Sequence, residues 1–164
     1  MNTLNIDHIN RDAPYRVTID SDYPYLFYFY TDYEVEYEIS IKVNDTFVPS
    51  GAYTLDIRNK HNHTSPGDPK FKQTLMAIIE EFFRQNNDVM LYVTETKDDK
   101  QASRNRLFVR WFNTYEYRSQ YVLKTAEGKM DGQMNFMAII LKRDNPRMSQ
   151  VFQEFEETIA FLFD

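Results

Sequence analysis

The most regular pattern in the chain runs from Tyr33 to Val43, where apolar and polar side chains alternate. Tyr33, Val35, Tyr37, Ile39, Ile41 and Val43 share one face, and Glu34, Glu36, Glu38, Ser40 and Lys42 share the other. A period of two predicts a strand with one buried and one wet face. Just before it, residues 23–30 are large on both faces: Tyr-Pro-Tyr-Leu-Phe-Tyr-Phe-Tyr. Thr31-Asp32 between the two runs suits a short hairpin turn, although it lacks a glycine. Residues 1–22 are polar and weakly patterned. They read as a loose tail, in which Tyr15, Val17 and Ile19 offer one short edge strand.

Downstream, turn residues at 44–45 and 49–51 lead to a strand over 53–57 and a polar loop over 58–68. Asp68 is a good N-cap with Pro69 at the first helical position. The helix that follows places Phe71, Leu75, Ile78, Ile79, Phe82 and Phe83 on one broad face and ends near Asn86-Asn87. Residues 88–95 form a strand with an apolar centre. Strand, helix and strand over 53–95 predict a parallel crossover. A second helix, roughly 102–116, carries Leu107, Phe108, Trp111, Phe112 and Tyr115 on one face, with Arg106, Arg110 and Asn113 opposite. Residues 120–126 and 135–142 read as a hairpin joined by 127–132. Asn145-Pro146 starts a last helix with Met148, Val151, Phe152, Phe155, Ile159 and Leu162 in one stripe.

No linker or repeat divides the chain. The expectation is one α+β domain over 23–164, with a mixed or mainly antiparallel sheet and about three amphipathic helices mainly on one face. The composition agrees with a packed core: 42% of the 164 residues are apolar, and 13 Phe, 12 Tyr and one Trp supply bulk. There is no cysteine, which excludes disulfides, thiolate metal sites and a cysteine nucleophile. No run approaches the roughly 18 apolar residues of a membrane span. The N-terminus lacks the basic start and apolar run of a signal peptide, so the expected location is the cytoplasm and no membrane partner is expected. The net charge of -6 repels nucleic acid on average, and none is expected as a partner.

Candidate chemistry is sparse. His61 and His63 could face the same way in an extended loop, with Asp68 as an oxygen donor, yet zinc needs about three well-placed ligands. An exposed polar loop is the stronger reading, and no metal is expected. The four glycines lack phosphate-cradle spacing, there is no nucleophile elbow, and no cofactor is expected. The more informative cluster begins at the end of the 88–95 strand: Glu95, Asp98, Asp99, Arg104, Arg106 and Arg110, candidates for binding a ligand or partner. Guanidinium groups present a planar fork to carboxylate or phosphate. An ordinary helix start with exposed ion pairs, each worth about 0–1 kcal/mol, explains the same residues. The catalytic residues, if any exist, are not identified.

Arg104-Asn105-Arg106-Leu107-Phe108, Trp111-Phe112 and Asp144-Asn145-Pro146 resemble the pattern of a family of small uncharacterised proteins from Bacteroidetes. The resemblance implies a bacterial origin and carries no activity or site. Two classes of function follow. The favoured one is a non-enzymatic binding or regulatory domain, as a homodimer or with a protein partner, using the aromatic run or the helix-start charges. The alternative is a small-ligand protein or enzyme with Glu95, Asp98, Arg104 and Arg106 around a pocket.

Overall fold

The computed structural model describes residues 1–95 and 101–163. The chain forms, in order, α1 (Ile6–Asp12), β1 (Thr18–Ile19), β2 (Leu26–Tyr30), β3 (Glu36–Asn44), β4 (Ala52–Asn59), α2 (Pro69–Gln85), β5 (Met90–Glu95), α3 (Gln101–Asn113), β6 (Tyr121–Met130), β7 (Gln133–Lys142) and α4 (Met148–Leu162). The strands make one sheet in the order β1-β2-β3-β4-β5-β7-β6. The fold is α+β on one mixed sheet, as the periodicities predict, with four helices among the described residues. The Tyr53 N–H donates to the Val89 carbonyl at 2.9 Å, which ties the start of β4 to the residue just before β5.

Met1–Lys42 with Leu55–Asn87 form one compact unit. In it β1, β2 and β3 run antiparallel: Phe27 lies opposite Ile39 and Phe29 opposite Tyr37, which puts the large side chains of β2 and β3 on a shared face. Phe29 lies 5.6 Å from Tyr37 and 5.8 Å from Phe71 of α2, ring centre to ring centre. The turn at 31–35 needs no glycine because the Thr31 hydroxyl accepts from the Tyr33 and Val35 amides. Glu34 takes the left-handed conformation there, at φ 59°. Val35, Ile39 and Ile41 are buried as the alternation predicts, but Ser40 of the expected wet face is buried too, and Tyr33 and Val43 at the ends are exposed.

Residues 1–22 contribute more than the short edge strand expected of a loose tail. Asn5 caps α1 by accepting from the Asp7 and His8 amides, and Leu4, Ile9, Tyr15 and Val17 are buried. Asp68 caps α2 as expected, its Oδ1 accepting from the Lys70 N–H at 3.0 Å.

Val43–Thr54 and the residues from Asp88 onward form the second unit. β7 is buried at seven consecutive positions, 135–141, the last six of them apolar. A strand apolar on both faces needs cover on both. Val89, Leu91, Met137, Ile139 and Leu141 pack with Val151 and Phe155 of α4. On the other face, Tyr92 stacks on Phe108 of α3 with ring centres 4.1 Å apart. Helices mainly on one face, the sequence expectation, therefore do not describe this unit, because β5 and β7 are apolar at successive positions and not at alternate ones.

The β6–β7 hairpin is also longer and tighter than 127–132 as a connection implies. Its ten residue pairs end in Met130 opposite Gln133. The two-residue turn Asp131-Gly132 has φ 52° and 77°, the mirror-image turn that follows strand twist. Gly128 is inside the strand, not in the turn. A Cβ there would overlap the Phe163 ring, which lies against the strand just beyond α4. Gly128→Ala is therefore expected to lower stability by about 1–3 kcal/mol through overpacking. Thermal and urea unfolding on a Phe163→Ala background should show most of that loss removed. A loss of the same size on both backgrounds would mean that the ring is not what excludes the side chain.

Candidate functional site

The site that the sequence singles out begins where β5 ends. Asp98 and Asp99 lie outside the described residues, and so does the Glu95 side chain. Arg104, Arg106 and Arg110 stand on α3, and all three are exposed.

What fixes their direction is the opposite side of α3. Asn105, Phe108 and Phe112 are buried, at the i, i+3 and i+7 spacing that makes one helical stripe. Phe108 stacks on Tyr92. Asn105 accepts a 2.6 Å hydrogen bond at Oδ1 from the Thr94 hydroxyl, which joins the helix to the end of β5. A buried amide is costly unless its polar atoms are partnered, so this bond also selects the rotation of the helix. Leu107 was expected on the apolar face. It is instead 43% exposed, because the buried stripe runs through Asn105.

Sequence reasoning passed over Asn105 as part of a motif, although its spacing from Phe108 and Phe112 marks it as inward-facing. The outward surface of α3 thus combines Arg106, Leu107 and Arg110. The segment Gln101–Asn113 contains no acidic residue. Arg106 and Arg110 are four apart, an arrangement that costs an isolated helix about 0.2–0.5 kcal/mol by like-charge repulsion.

The histidine loop is built differently from a metal centre. The Asn59 side chain accepts from the His63 amide at 3.2 Å and donates to the His63 carbonyl at 2.8 Å. His63 Nδ1 lies 3.3 Å from the Glu34 carbonyl, and His61 Nε2 lies 3.5 Å from Glu36. Asp68 is turned to its own capping bond and to the Tyr15 hydroxyl at 2.6 Å. Among the described residues, no three His, Asp or Glu side chains gather as metal ligands. Burial and the Asp68 carboxylate push the Tyr15 hydroxyl up to about 12, so it stays protonated and serves as a donor.

A second polar centre, Glu81, escaped notice because it interrupts the apolar face of α2 as one acid among many. Its side chain is fully buried. It accepts from the Asn5 N–H at 3.1 Å and the Gln85 amide at 2.8 Å, and it pairs with Arg84. His8 Nδ1 lies 3.2 Å from its other oxygen. Burial raises the Glu81 pKa, but the bonds from Gln85, Asn5 and Arg84 outweigh it and hold the group below its ordinary 4.5. Every partner lies in α2 or at the α1 start, so the arrangement reads as a clamp that holds the N-terminal segment.

The folded state binds the Glu81 proton more weakly than the unfolded state does. Its contribution is complete above pH 4.5 and is lost as pH falls through the depressed folded value. Glu81→Gln should cost about 1–3 kcal/mol at neutral pH. The gap between variant and wild type should narrow as urea unfolding is repeated below pH 4.5; a gap that stays constant into acid contradicts the ionised clamp.

Residues 67–157, more than half of the chain, match the model of a family of unknown function, DUF6169. The chain belongs to that family. The match includes α3, Asn105 and the arginines, whereas α1 and β1 to β4 precede it. No curated protein and no solved structure matches the chain.

Proposed function

We propose that this family member is a non-enzymatic protein-binding domain, and that the arginine face of α3 is its docking surface for an acidic partner segment. The observation that carries the reading is a helix with Arg104, Arg106 and Arg110 exposed and no acid of its own, in a chain whose net charge is -6. The Arg106–Arg110 repulsion does nothing for the fold, whereas a carboxylate-bearing partner relieves it. Leu107, 43% exposed between them, supplies apolar contact. Planar guanidinium groups beside an apolar anchor suit a peptide that alternates acids with large apolar residues.

In this reading the protein is bacterial, of the Bacteroidetes, and acts in the cytoplasm. A basic helix also attracts phosphate, but the acidic chain as a whole opposes a polyanion as long as a nucleic acid.

A fluorescein-labelled peptide of alternating glutamate and leucine tests the surface by anisotropy across a salt series. Binding should weaken as salt rises. Arg106→Glu with Arg110→Glu should weaken it at least about tenfold, or 1.4 kcal/mol. No binding by the wild-type protein at low salt, or binding indifferent to the double reversal, would overturn the reading. A single-stranded oligonucleotide bound more tightly than the peptide would reassign the surface to nucleic acid.

A further inference from the structure

The sheet ends on one side with β1, two residues long, and on the other with β6, ten residues long. A terminal strand of that length presents a row of outward backbone N–H and C=O groups, a template for another strand. The burial of β6 alternates from 125 to 130. Thr125, Glu127 and Lys129 are exposed on one face, and Ala126, Gly128 and Met130 are half-buried on the other. The half-buried face is the α4 side: Ala126, Met130 and Phe163 pack at the margin of the core there. The edge is thus apolar above and charged below.

We infer that β6 pairs antiparallel with β6 of a second copy of this chain, about a two-fold axis at Gly128. An axis normal to the sheet leaves each face on its own side, so opposite residues share a face. With the axis at Gly128, Glu127 lies opposite Lys129 of the second copy, and Lys129 opposite the second copy's Glu127. Ala126 lies opposite the second copy's Met130 on the α4 side.

Among axes placed at residues 125 to 129, this one alone sets acid against base on the outer face. Axes at Glu127 or Lys129 put like charges face to face, which is destabilising. Axes at Thr125 or Ala126 set Glu127 against Leu123 or Thr125. Gly128 at the axis adds no side chain between the strands, and the two Phe163 rings flank that gap. The turn at Asp131-Gly132 ends the paired stretch. This surface is separate from the α3 face and stands whether or not that face binds an acidic partner.

Sedimentation velocity over a concentration series reads the assembly. The wild-type chain should pass from monomer to dimer as concentration rises. Glu127→Lys sets Lys against Lys at both contacts and should raise the dissociation constant at least about tenfold. Adding Lys129→Glu exchanges the charges and should restore dimerisation, whereas Arg106→Glu with Arg110→Glu should leave it unchanged. Glu127 and Lys129 are exposed, so far-UV circular dichroism should show all variants folded. A chain that stays monomeric at every concentration overturns the proposal. So does a dimer that Glu127→Lys leaves intact, or one that the charge exchange fails to restore.

Discussion

The second unit depends on one constraint, the burial of β7 on both of its faces. Residues 136–141, Phe-Met-Ala-Ile-Ile-Leu, are all shielded from water. At roughly 25 cal/mol per Å2 of apolar area, leaving either face open would be prohibitive for a domain of ordinary stability. The chain must therefore supply a helix on each side. α4 answers with Val151 and Phe155, and α3 with Phe108 over Tyr92. Both candidate surfaces are by-products of that requirement. Once Asn105, Phe108 and Phe112 turn inward, Arg106 and Arg110 must face out. Once β5 and β6 flank β7 on either edge, β6 ends the sheet.

Polar groups refine what apolar burial only approximates. Apolar area alone would let α3 roll far enough to bury Leu107. The Asn105–Thr94 hydrogen bond settles the rotation, since a buried amide without partners costs more than an exposed leucine. Glu81 does the same for the first unit. A seven-residue helix has little stability of its own, so α1 holds its place through Asn5, His8 and the buried carboxylate. These are also the features that a count of apolar positions passes over.

Much of the fold was legible in the sequence, wherever one residue type has one reading. The alternation in β3 and the Asp68-Pro69 start of α2 are of that kind. The rest was hidden for physical reasons. Leu4 and Ile9 in the N-terminal segment are too sparse to mark a face, and α1 is held mainly by tertiary bonds. Gly128 imitates a turn residue, yet it is small because the Phe163 ring lies against it. The unbroken apolar run of β7 is visible in the sequence, but a run alone does not say that both of its faces are covered. At the candidate site, the exposed arginines were legible from the helical period. Asn105 was not, because an asparagine in a helix is ordinarily taken for a surface residue.

Native-state amide hydrogen exchange tests the central constraint most directly. Two-sided burial predicts that the amides of β7, with those of β5 beside it, exchange most slowly and only through global unfolding. β1 and α1 should exchange faster, through local opening. Exchange of residues 136–141 at rates matching β1, in a protein otherwise folded, would contradict the account, because a strand sealed on both faces cannot open alone.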